Sequence, residues 1–272
     1  MVFGIEKPPS RRLTDFPFYA ILSQTMEKEH NMRKIKKSSE LLWLFGIVFV
    51  ALGVSICSKA DLGVSMIAAP TFVVFDAVAP LWSGFSVGMV EYILQGILLV
   101  ALCIVVGRFN WRYLLAFAVA VVYGYTLNFF LWVLGFANFD SSWLRWIMLV
   151  VGDVITAFGV ACFFRTYMPL QVHELFVAEL TNRFHLTLSK VKGIFDISLL
   201  AISITLALVL FSDIQSFDPS QIATHSFHSI GLGTLVTTAI NSPLITLMGK
   251  LIDKFFEPTA RFSEMENLLK RK

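Results

Sequence analysis

Val90-Glu91-Tyr92-Ile93-Leu94-Gln95 is written a second time, in altered letters, as Val191-Lys192-Gly193-Ile194-Phe195-Asp196. Working outward from these two strings, Leu52-Gly53-Val54 upstream of the first is answered by Phe158-Gly159-Val160 upstream of the second, and Lys59 by Arg165. The stretches from about 42 to 107 and from about 148 to 211 therefore read as two copies of one unit. Both are too apolar for water. An internal repeat in such a chain bears directly on architecture, because many transporter folds are paired repeats with a site between them.

Composition places the chain in the membrane. Of its 272 residues, 56% are hydrophobic and only 15% charged, with a mean hydropathy of +0.72; soluble domains carry about 25% charged residues. The charges cluster in residues 1–40 and between long apolar runs, as in a polytopic helical membrane protein whose principal partner is the lipid bilayer. A net charge of +3 implies no nucleic-acid partner. Cys57, Cys103 and Cys162 lie in apolar segments without CxxC spacing or neighbouring His, so they read as packing residues, and neither metal nor cofactor is expected. Residues 1–40 lack the apolar core of a signal peptide and read as a polar cytoplasmic tail; Met26 or Met32, just ahead of Arg33-Lys34-Ile35-Lys36-Lys37, are alternative starts.

Six segments are long and apolar enough to span: about 41–58, 87–107, 112–135, 143–164, 189–211 and 229–250. Two more are ambiguous. Residues 63–82 are broken by Pro70, Asp76 and Pro80, and residues 169–186 carry His173, Glu174, Glu179 and Arg183. If neither spans, Arg33–Lys37, Arg108, Arg112, the 165–192 region and the basic tail at 257–272 all fall inside, while the loops at 136–142 and 212–228, with Asp140, Asp213 and Asp218, fall outside. If both spanned, Arg108 and Arg112 would move outside. Charge thus favours an all-α fold of two three-span repeats, 41–135 and 143–256, in inverted topology, each with a broken, re-entrant segment. An eight-span parallel duplication is the alternative.

Ionisable groups inside spans are the first place to look for function. Glu91 and Gln95 share one helix face at a spacing of four, as do Lys192 and Asp196. By rise alone, Glu91 should lie about 5 Å from one interface and Lys192 as far from the other, some 20 Å apart in depth and unable to pair. Gln95 and Asp196 would lie deeper, within bridging distance of a small ligand. Lys59 should then pair with Glu91, and Arg165 with Asp196 or Glu174, as gates at the two faces or, equally, as fixed ion pairs and snorkelling residues. Glu174, beside His173, is a further candidate, with proton coupling set against a plain surface histidine. The broken segments open at Leu62-Gly63-Val64-Ser65 and Met168-Pro169-Leu170-Gln171, which suit short helices with ligand-facing N-termini or simple tight turns. Pro243 should kink its helix, with Thr238, Asn241 and Ser242 re-satisfying the freed backbone. HExxH, GxSxG and phosphate-loop signatures are missing, so no enzyme is expected.

Lys59-Ala60-Asp61-Leu62-Gly63-Val64-Ser65 with Phe85-Ser86-Val87-Gly88, Met168-Pro169, Glu174, Lys190 through Asp196, and Ile230-Gly231-Leu232-Gly233-Thr234 leading to Ser242-Pro243 resemble the YczE/YyaS/YitT group of bacterial integral membrane proteins over about residues 33–256. The chain departs from that group where Ser242 replaces a glycine before the final proline and Asn128 replaces a frequent acid. The resemblance implies a multi-pass protein of the bacterial plasma membrane, with both termini cytoplasmic by charge, and neither substrate nor catalytic set. The expected function is a secondary transporter or permease of a small polar solute, with Glu91, Gln95, Glu174, Lys192 and Asp196 at its site. A non-transporting scaffold or regulator acting through a protein partner is the alternative, and an intramembrane lipid enzyme a weaker third. Homo-oligomerisation is left open.

Overall fold

Glycine decides where the two most extensively packed helices of this fold touch. The computed structural model describes residues 35–137, 139–211 and 225–259. Its helices are α1 (Ser39–Ala60), α2 (Ala69–Val78), α3 (Val87–Val106), α4 (Arg112–Val133, continued by a 3-10 turn at Leu134–Phe136), α5 (Ser142–Phe163), α6 (Val172–Phe184), α7 (Leu188–Leu210) and α8 (Leu232–Phe255). Helices α1 and α5 form the most extensive pair. A Cβ on Gly53 would collide with the Gly152 carbonyl and Thr156, and one on Gly159 with the backbone of Val50 and Gly46. Since Gly46 meets Gly159 and Gly53 meets Gly152, the two helices run antiparallel. Without a hydrophobic drive between helices in lipid, such small-residue seams let backbones approach closely enough to gain dispersion contacts.

Six helices, α1, α3, α4, α5, α7 and α8, are long and apolar enough to cross a membrane. The other two are short. With 10 and 13 residues and a rise of 1.5 Å per residue, α2 and α6 reach about 15 and 20 Å, short of the roughly 30 Å of hydrocarbon. Each returns to the end it came from. Asp61 and Leu62 before α2 bond Ser226 and Gly233, while Asp76 on α2 accepts from Ser229 in the same segment. Before α6, Pro169 and Tyr167 touch Trp43 and Ser39 at the start of α1, and after it Arg183 donates to Val106 O at the end of α3. The loop into α2 depends on Gly63, whose φ of +103° and lack of a side chain let Leu62 O accept from Gly233 N at 2.8 Å.

Gly88 meets Gly124 where α3 crosses α4, and Ser242 of α8 donates to Ser189 O of α7 at 2.9 Å. Each short helix leans on a long helix of the opposite half: α2 on α7, α6 on α3. Ile35–Ser38 (β1) and Phe256–Thr259 (β2) pair in parallel, so the chain enters α1 and leaves α8 at the same end.

Local sequence sets the boundaries. Ser86 caps α3 by accepting from Met89 N, and Gly107 closes it with φ +72°. Asn128 braces that start from α4, accepting from Gly88 N and donating to Ser86, both at 2.9 Å. Pro243 sits inside α8, but the expected local repair is not what its neighbours do. Thr238 donates to Thr234 O, Asn241 to Asp196 and Ser242 to Ser189 O, so two of the three turn toward α7. The tail to residue 34 with its alternative starts, Asp213, Asp218 and the basic tail beyond 259 lie outside the described residues.

Candidate functional site

Glu91 and Gln95 share the inward face of α3, and both are buried. The Gln95 amide donates to Glu91 Oε1 at 2.8 Å, and the Thr71 hydroxyl of α2 donates to Glu91 Oε2. Gln95 Oε1 accepts from Val172 N at 3.3 Å, satisfying one of the free N–H groups at the start of α6. One turn of side chains thus ties a long helix to both short ones. On α7, Lys192 Nζ donates to Asp196 Oδ1 at 2.7 Å in an i,i+4 pair that is almost wholly buried. Asn241 of α8 donates to Asp196 Oδ2 at 3.4 Å.

His173 and Glu174, in the first turn of α6, join these two groups. His173 Nδ1 lies 3.9 Å from Glu91 Oε1, too long for a hydrogen bond, and its ring is 6.1 Å from that of Phe195 on α7. Glu174 is in the electrostatic field of Lys192, Asp196 and Glu91 together. Glu91 and Lys192 form no direct pair among the described contacts, and Glu174 at the start of α6 lies in the field of both, a link that rise along α3 and α7 alone could not report. Among the described residues, no group of His, Cys, Asp and Glu is placed to hold a metal ion.

The expected gate pairs are corrected. Lys59 is in the last turn of α1, but the partners of Glu91 are Thr71, Gln95 and His173, because Glu91 faces α2 and α6. Arg165 reaches neither Asp196 nor Glu174. Its planar guanidinium makes a bidentate pair with Asp253 of α8, at 2.6 and 2.7 Å, in a space kept open by Gly249. At the opposite end Asp61 gathers Arg145 at 3.1 Å, Ser226 and His225 at 2.8 Å. Each end of the bundle thus carries one arginine–aspartate closure.

Beside Lys192 a cavity of about 330 Å³ opens toward the Arg165 end. Its charged lining is Arg165, Lys192 and Lys250, and Ser189, Ser242 and Thr246 add hydroxyls. A larger groove of about 930 Å³ lies between the α3–α4 loop and the end of α6.

Sequence reading passed over Asp153. It stands midway along α5, fully buried, and neither carboxylate oxygen has a hydrogen-bond partner. The signal was available, since Asp153 is the sole acid in the expected span 143–164, and a charge in a span is costly wherever it lies. Thr71 and Asn241 were also missed as partners, because their contacts depend on tertiary packing.

No curated relative and no solved structure matches the chain. The family match that exists does not carry the YczE/YyaS/YitT name, and it covers nearly all of the six spans. The chain belongs to DUF6198, a family of unknown function, whose match runs over residues 37–250.

Proposed function

We propose that this integral membrane protein is a secondary transporter of a small solute bearing a negative group, and that it is not an enzyme. One observation carries the reading: a continuous buried polar cluster, Glu91–Gln95–His173–Glu174–Lys192–Asp196, set between helices of both halves, with a cavity leading to its lysine. Groups so expensive to bury in a membrane are kept where a pathway uses them. The cavity's purely cationic charged lining selects carboxylate or phosphate, and its volume suits a small metabolite.

The antiparallel α1–α5 seam and the exchanged packing of α2 and α6 support an inverted repeat, in which rocking of one half on the other exposes the site alternately. Arg165–Asp253 and Asp61–Arg145 are the closures at the two ends. The positive-inside rule places the Arg108 end, and with it both chain ends, in the cytoplasm, and the motifs at 59–65 and 190–196 support kinship with the YczE/YyaS/YitT group of the bacterial plasma membrane.

The test is a thermal-shift panel of lactate, succinate, citrate, phosphate and sulfate on purified protein, followed by uptake of any stabilising anion into proteoliposomes. A stabilising anion that loses its effect in Lys192→Gln is expected. No response to any of the five, or a full response in Lys192→Gln, overturns the assignment. A second reading, a scaffold or regulator with a protein partner, draws on the wide groove lined by Arg108, Arg112, Glu179, Asn182 and His185. On that reading Arg108→Ala/Arg112→Ala abolishes function and leaves anion binding intact.

A further inference from the structure

Several buried oxygens among the described residues have no donor, among them both of Asp153, Asn241 Oδ1 and Glu174 Oε2. Asp153 is 0% exposed and, at 1.5 Å per residue, lies about 16 Å from either end of α5. Polar groups nearby on α1 and α5 are committed elsewhere: the Cys57 thiol to Leu149 O at 3.6 Å, and the Thr156 hydroxyl to Gly152 O at 2.9 Å. From α7 the group facing Asp153 is Asp196, and from α1 it is Cys57. Asp196 in turn holds Lys192 on one oxygen and Asn241 on the other.

The charge count is specific. At the facing pair, Asp153 and Asp196 contribute two negative charges and Lys192, bonded to Asp196, one positive, which leaves one negative charge there; Glu174, in the field of Lys192, Asp196 and Glu91, adds to the acidity of the wider cluster. A buried carboxylate with no donor costs several kcal/mol unless something positive meets it. The free ligands are all oxygens, which select a proton or a hard cation over a transition metal, and the balance at the facing pair calls for one positive charge. We propose that Asp153, Asn241 Oδ1 and Asp196 form a binding site for a monovalent cation, a proton or Na⁺. The inference rests on the reading of the neighbouring cluster as a transport site, and supplies its coupling ion.

Its test needs no transport. Purified full-length protein in detergent is melted in NaCl or choline chloride at equal ionic strength, between pH 5.5 and 8.5. If Na⁺ is the ion, Tm rises with NaCl at fixed pH. If the ion is a proton, wild type gains stability over Asp153→Asn as pH falls in choline, and NaCl adds nothing. In either case Asp153→Asn removes the response. Asn241→Ala, which keeps both carboxylates, weakens the apparent affinity about tenfold, the worth of one net hydrogen bond, and serves if Asp153→Asn does not fold. A wild type indifferent to Na⁺ and pH, or an undiminished response in both variants, overturns the site. Solute uptake with no cation response refutes the cation site alone, while a cation response with no uptake of any anion refutes the transport reading alone.

Discussion

Removing Asp196 should cost more than removing Asp196 and Lys192 together. The pair is held at 2.7 Å with side-chain exposures of 3% and 0%. At an effective dielectric of about 20, its gross Coulomb energy is about 6 kcal/mol. Most of that offsets desolvation, so the net worth of the pair is small, but a lone buried ion left behind costs about 3–5 kcal/mol. In Asp196→Ala the Lys192 ammonium would be stranded, although Glu174, which lies in its field, takes up part of its charge, which sets the expectation at the lower end, about 3 kcal/mol. Lys192→Met/Asp196→Leu leaves neither ion behind and keeps the volume, with only the Asn241 amide losing its acceptor, so it should fall within about 1.5 kcal/mol of wild type. As a control, Arg108→Ala removes an exposed pair at 3.9 Å, with Arg108 73% exposed, and should change stability by less than about 1 kcal/mol. Reversible unfolding in mixed dodecylmaltoside–SDS micelles, followed by tryptophan fluorescence, gives the four values. If the double variant costs as much as Asp196→Ala, or Asp196→Ala costs no more than Arg108→Ala, the pair is not the buried, mutually dependent unit described above.

Three other outcomes follow from the packing. Gly53→Leu and Gly159→Leu should each destabilise by about 3 kcal/mol or more, because backbone faces the new side chain, whereas Gly193→Ala, with nothing within 4 Å, should be neutral to slightly stabilising in the same unfolding assay. Asn128→Ala removes two hydrogen bonds at the start of α3 and should cost about 1–2 kcal/mol; full stability would show that Ser86 caps α3 alone. In a background with Cys57, Cys103 and Cys162 replaced by Ala, single cysteines at Trp82 and Asn110 should react with a membrane-impermeant maleimide from opposite faces of the cell membrane. Reaction from one face would refute the six-span path.

The spans were legible because a membrane leaves a chain few choices. Every backbone polar group must be satisfied within the helix, so apolar runs near 20 residues mark spans, and Ser86 and Gly107 mark where one begins and ends. The broken segments were legible from Pro70 and Asp76 in one and from Glu174, Glu179 and Arg183 in the other. Which side chains meet was less legible. Thr71 and Glu91 touch because α2 turns back, and Arg165 finds Asp253 because Gly249 leaves room. Depth along a helix does not say which way a residue faces, and that is why Lys59 was matched with Glu91. Asp153 is a different kind of miss. It was visible as an acid in an apolar run but had no counterpart in the other copy, and a search guided by the repeat looked only at positions written twice.

In the proposed inverted repeat, scaffold and chemistry have diverged to different extents. The packing is kept: glycine still meets glycine between α1 and α5, and each short helix still leans on the opposite half. The side chains at the centre are not kept. One copy places an acid and an amide at the positions where the other places a base and an acid. Gln95 is tied to the start of α6 by Val172 N, whereas Pro70 in the first turn of α2 has no N–H to offer to α7. Asp196 is thereby left to hold Lys192 and Asn241. The vestibule follows the same division. On the lysine side Ser189 and Ser242 line an open cavity, while their counterparts Gly88 and Gly124 are packed against each other and braced by Asn128. Among the described residues a cavity opens toward the Arg165 end, while at the other end Asp61 holds Arg145, Ser226 and His225. On the transporter reading proposed above, a second working state would open a cavity beside Glu91, at the place that the repeat matches to Lys192.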